Sequence, residues 1–257
     1  NLTNLSRTYI KISESHNIPY GSTINSAKLI LTNKNYYQAP LQDNISVKLY
    51  DCYNIAAWSA TSVTWNNQPF GNTAGSYSSY GANLLSEIQA TNNEGSKYEF
   101  NIKPAVENWL ETGINKGFML ASSDESSKTQ IDFYSSRADV YKPIVHVNYN
   151  IPHLSSTEWV PDKNASTSPA ITVIATKNWI ASANQPWISV SPSSGAGKNS
   201  FTISVTENPN ASARQGEVSV MIGTTEIGKV TVTQTGSDPF LSVNKTNLNY
   251  KHDETDI

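Results

Sequence analysis

The chain has 257 residues, of which 15% are charged. Its 18 basic and 21 acidic side chains leave a formal charge of −3 with no dense Lys/Arg stretch, so the footprint of a nucleic-acid binder is missing. No apolar run reaches the ~20 residues of a membrane helix, and a single cysteine, Cys52, excludes a disulfide framework and a Cys-based zinc site.

Asn, Ser, Thr and Tyr fill the deficit of charge, while 10% aromatics supply a core. Strict alternation predicts the first strands. Ala27, Leu29 and Leu31 face inward against Lys28, Ile30 and Thr32, and Ile45, Val47 and Leu49 face inward against Ser46, Lys48 and Tyr50. Tyr98, Phe100 and Ile102 then oppose Glu99 and Asn101. Pro104, the spacing of Val106, Trp109 and Leu110, and Gly113 predict one short helix. Val145, Val147 and Tyr149, against His146 and Asn148, close this part. Strands with one dry and one wet face suit antiparallel sheets in a sandwich.

Pro152 and its polar neighbours mark a junction, beyond which short strands are expected at 170–176, 187–190, 201–205, 217–222 and 229–235. Their spacing favours an immunoglobulin-like sandwich. Pro152, Leu154 and Ser155 recur as Pro239, Leu241 and Ser242 at one constant displacement, about the length of a small sandwich domain. The expected organisation is a jelly-roll β-sandwich over 1–150, an immunoglobulin-like β-sandwich over 151–236, and the start of a further repeat over 237–257. The chain opens at Asn1 without an initiator Met and stops at Ile257 inside a pattern, so it reads as a piece of a longer protein with neighbouring domains.

Catalytic motifs fail one by one. Gly195-Ala-Gly-Lys-Asn-Ser lacks the first Gly and the Ser/Thr of a phosphate loop and reads as a hairpin loop. No Gly-x-Ser-x-Gly elbow occurs, and His16, His146, His153 and His252 lack ligand spacing. Glu107 and Glu111 share one helix face, whereas glycoside hydrolysis needs carboxyls on opposite sides of a bond. A non-catalytic protein without cofactor is therefore expected, apart from Asp124, Glu125 and Asp132, which are oxygen ligands of the kind a structural calcium takes.

Two surfaces could bind. Outward positions Tyr9, Lys28, Lys48, Tyr50, Tyr134 and His146 form a mixed platform if they share one sheet, which would suit a glycan, including an anionic one; otherwise they are an ordinary wet face. Tyr36, Tyr37 and Trp58 lie in predicted loops and form a second set, with capping of the sandwich as the competing role for Trp58.

Arg7-Thr-Tyr-Ile-Lys-Ile, Ile24-Asn-Ser-Ala-Lys-Leu, Val63-Thr-Trp-Asn-Asn-Gln-Pro, Gly117-Phe-Met-Leu-Ala-Ser-Ser-Asp-Glu and Phe133-Tyr-Ser-Ser, in that order and spacing, resemble the DNRLRE domain family over most of 1–150. Asn178-Trp-Ile-Ala-Ser-Ala, Trp187-Ile-Ser-Val-Ser-Pro, Phe201-Thr-Ile-Ser-Val, Asn208, Arg214, Gly216 and Val230-Thr-Val-Thr-Gln resemble a BACON domain over about 154–236. The resemblances imply modules of secreted or surface-attached bacterial proteins that bind polysaccharide or take part in adhesion. Purely structural stalk modules are the alternative.

Overall fold

The computed structural model describes residues 7–12, 17–34, 45–54, 58–59, 62–64, 66–70, 83–91, 93–122 and 131–237. The chain divides into two compact units, Asn1–Ile151 and Pro152–Ile257, each nearly all β.

The first unit contains β1 (Thr8–Ile10), β2 (Thr23–Thr32), β3 (Ile45–Asp51), β4 (Asn83–Ala90), β5 (Lys97–Asn101), α1 (Lys103–Thr112), β6 (Phe118–Ser122) and β7 (Ile144–Asn150). They form two antiparallel sheets, ordered β1-β6-β3-β4 and β5-β2-β7. The alternating inward positions meet in one core of Leu29, Leu31, Val47, Leu49, Phe100, Phe118 and Leu120. Burial of such side chains stabilises by about 1.5–3 kcal/mol each, which is what holds the two sheets together. Helix α1 adds Ala105, Val106 and Trp109 to that core and ends at Gly113, whose φ of 71° lets its N–H reach the Trp109 carbonyl at 2.8 Å.

The second unit is a β-sandwich of two five-stranded sheets. One contains β8 (His153–Leu154), β10 (Ser166–Thr167), β11 (Ile171–Ile174), β13 (Ile188–Ser191) and β15 (Asn199–Val205). The other is ordered β14 (Ser194–Ala196), β12 (Asn178–Ala183), β16 (Arg214–Ile222), β17 (Thr225–Gln234) and β9 (Glu158–Trp159). The expected simple hairpin around Gly195 differs in detail. β13 does pair with β15, but β14 between them crosses to pair with β12. Gly195 makes that crossing fit, since a Cβ there would lie 2.3 Å from Cζ2 of Trp179.

Candidate functional site

The β5-β2-β7 sheet carries one open face. Antiparallel register sets Lys28 opposite Asn101 on one side and His146 on the other, so three strands deliver these side chains as a single row. At the usual strand spacing such a row is about 10 Å wide, the scale of a sugar ring with its substituents. Asn101 and His146 are exposed and Lys28 half-buried. The next row holds Glu99, Ile30 and Ile144, and the Lys28 ammonium reaches back to the Glu99 carboxylate at 2.5 Å. On the other side Asn148 accepts a hydrogen bond from the Asn25 amide at 2.8 Å. The face thus carries amides, an imidazole and an ion pair able to donate and accept, beside the apolar Ile30 and Ile144, on backbone positions set by the ladders.

The remaining platform residues do not join this row. Lys48 belongs to the four-stranded sheet, beside Glu87 at 4.0 Å. Tyr9 and Tyr50, expected at the surface, instead pack with Cys52, Phe70, Met119 and Ala121 in a second cluster, where Trp58 takes the capping role that competed with binding. The segment after β3 causes this by folding back over the sheet: Phe70 is fully buried, and the Trp58 indole donates to the Lys116 carbonyl at 2.7 Å. The Tyr9 ring lies 5.3 Å from Trp58 and 6.4 Å from Phe70, and its hydroxyl donates to Gln68 at 3.0 Å. Burial pushes its phenol up to about 12 despite the opposing charge of Arg7, and burial likewise pushes the Cys52 thiol up.

Tyr134 stands elsewhere again, beyond the end of β2. A bridge between Asn33 and Phe133 turns Phe133 inward against Tyr98, and the Tyr134 N–H donates to the Thr32 carbonyl at 3.0 Å. The Tyr134 hydroxyl donates to Glu94 at 3.3 Å, and that carboxylate adds to partial desolvation in raising its pKa. Tyr141, which periodicity did not mark, lies 5.2 Å away, centroid to centroid, with the planes 51° apart. Its sequence signal is slight, a tyrosine between Val140 and Lys142, two residues before Pro143.

Tyr36, Tyr37, Asp124 and Glu125 lie outside the described residues. Asp132 is half-buried, and its carbonyl accepts from the Lys34 N–H at 2.8 Å. Among the described residues no group of three His, Cys, Asp or Glu side chains could hold a metal ion.

In the second unit the signature residues form a lock inside the fold. The Arg214 guanidinium lies 4.2 Å above Trp187 and donates to Gln234 at 2.9 Å and to the Thr206 carbonyl at 2.7 Å. The fully buried Asn208 amide donates to the carbonyls of Ser212 and Thr235. Trp179 is buried against Phe201, and Trp159 and Trp187 are half-buried, so no aromatic ring of this unit stands free on the surface among the described residues.

The model of carbohydrate-binding module family 96 matches residues 3–149, more than half of the chain and the stretch that resembles the DNRLRE family. The BACON model, described as "Putative binding domain, N-terminal", matches residues 177–235. A Bacteroides ovatus GH5 xyloglucanase solved in complex with a XXXG heptasaccharide is 22% identical, with a TM-score of 0.31; the match covers 34% of this chain and 19% of that one. The chain therefore spans about a fifth of the length of that enzyme. A protein from Bacteroides thetaiotaomicron solved by NMR is 11% identical, with a TM-score of 0.25, over 35% of this chain and 91% of that one. No curated protein matches.

Proposed function

The chain belongs to carbohydrate-binding module family 96, and from that premise we propose that its first unit binds polysaccharide across the open face of the β5-β2-β7 sheet. The observation that carries this reading is the row of Asn101, Lys28 and His146. A polymer laid along the face meets donors and acceptors whose positions the ladder has already set, so little ordering entropy is lost on binding. Lys97 lies on the same exposed strand, so cationic groups outnumber Glu99 and acidic polymers are the class to expect first. The polymer must then compete with Glu99 for Lys28, which makes individual contacts weak and retention dependent on repetition along the chain.

For the second unit we propose a structural role, as a spacer within a secreted or surface-attached multimodular protein. Supporting this are its aromatic residues, which are spent on its own core and lock rather than on its surface. Catalysis is assigned to neither unit.

Affinity electrophoresis of the 257-residue chain through gels containing polygalacturonate tests the first proposal. Retention is expected, with Lys28→Ala and His146→Ala each weakening it and Lys48→Ala, on the other sheet, leaving it unchanged. Equal retention of all three variants and the parent chain would sink the sheet-face assignment.

A further inference from the structure

The geometry points to a second carbohydrate subsite, formed by Tyr134 and Tyr141 beyond the end of β2, that stacks an uncharged pyranose ring. It rests on the family membership but not on the Asn101–Lys28–His146 row, from which its residues are separate.

Tyr134 is held from several sides. Its hydroxyl is tied to Glu94, its main chain to Thr32, and the Lys34 ammonium sits 5.9 Å from its ring centroid. Its ring therefore serves as a fixed wall. Tyr141 leans on that wall and keeps 52% of its surface exposed. An amphipathic ring left half in water, beside another ring and two hydrogen-bonding groups, has the composition of a contact surface for a ligand with an apolar face and a polar rim. A pyranose is such a ligand, with C–H bonds on its face and hydroxyls at its edge.

The backbone adds an independent observation. Tyr141 has φ of 58°, the only non-glycine residue in the left-handed region among the described residues. A bulky side chain is disfavoured there, and Gly or Asn would adopt the conformation with less strain. A tyrosine that contributes little to the core yet occupies a strained backbone position points to a role for its ring. Glu94 and the Lys34 ammonium together set the charge beside Tyr134. The Glu94 carboxylate accepts from the Tyr134 hydroxyl and has acceptor capacity left for sugar hydroxyls, but it repels a uronate carboxylate at the same place. With one carboxylate and one ammonium beside Tyr134, the subsite has no excess of either charge and suits a neutral unit, whereas the sheet face favours acidic ones.

The test is affinity electrophoresis of the 257-residue chain in galactomannan and in hydroxyethylcellulose, two neutral polymers, beside polygalacturonate, with thermal unfolding of each variant. Tyr141→Gly and Tyr141→Asn are expected to weaken retention on at least one neutral polymer by about fivefold to tenfold, the size of one lost ring contact. They should leave polygalacturonate retention and the unfolding temperature unchanged, or raise the latter. Glu94→Gln should keep neutral retention and admit acidic polymer more readily. Lys28→Ala should show the reverse selectivity, a loss on polygalacturonate alone. Absence of neutral retention in the parent chain, or unchanged neutral retention in both Tyr141 variants, would overturn the subsite. Loss on polygalacturonate alone in those variants would also overturn it, since the pair would then belong to the acidic-polymer face.

Discussion

Tyr9 shows how burial changes what a residue can do. Half-buried between Trp58 and Phe70, its phenol resists ionisation up to about 12 against an ordinary value of 10. Because the folded value is raised, Tyr9 contributes stability below pH 10 that is lost as pH rises through 10 to 12, where the unfolded chain ionises first. Ultraviolet titration should show a tyrosine ionising near pH 12, and Tyr9→Phe should remove that step and part of the alkaline loss of stability. Gly195 makes a steric counterpart. With a Cβ 2.3 Å from Trp179, Gly195→Ala must displace the indole from its place against Phe201. Denaturant unfolding should register a cost of about 1–3 kcal/mol, and an unchanged midpoint would mean that the indole shifts freely.

At the scale of elements, β3 and β6 give the reason for proposing the binding face on the other sheet. Val47, Leu49, Phe118 and Leu120 point to the inter-sheet core, while Tyr50, Met119 and Ala121 point to the opposite side and are also buried. A strand covered on both faces has no surface to offer a ligand, so the β5-β2-β7 sheet carries the open face. The alternation of Ser46, Lys48 and Tyr50 was legible in the sequence; the cover over Tyr50 was not, because it comes from residues outside the strand, Trp58 and Phe70 after it and Tyr9 before it. In the second unit, β16 and β17 are closed at one end by Asn208 and Gln234, whose amides serve main-chain carbonyls with no access to water. Asn208→Ala strands two carbonyls and the Asn210 N–H, and should cost about 2–3 kcal/mol in denaturant unfolding.

For the whole molecule the balance of 18 basic and 21 acidic side chains means that no long-range field draws the chain to a polymer of either sign. Attraction to an acidic glycan has to be local, through Lys28 and Lys97. Raising salt from about 0.01 to 0.1 M shortens the screening length from ~30 to ~10 Å, so polygalacturonate retention should weaken over that range while neutral-polymer retention holds. Retention on both polymers with the same salt dependence would mean that one surface serves both.

Residue patterns alone were enough for the all-β class, the strands of β2, β3, β5 and β7 and the helix with its Gly113 cap, because alternation, capping and turn residues act over a few neighbours. They also marked Lys28, Asn101 and His146 as outward, which the register of three strands then joined into a row. It took the fold to show that Tyr9 and Tyr50 are covered, to choose capping over binding for Trp58, and to bring Tyr141 against Tyr134. Period-two patterning tells which side of a strand a residue takes, but whether that side is wet depends on what the rest of the chain lays over it.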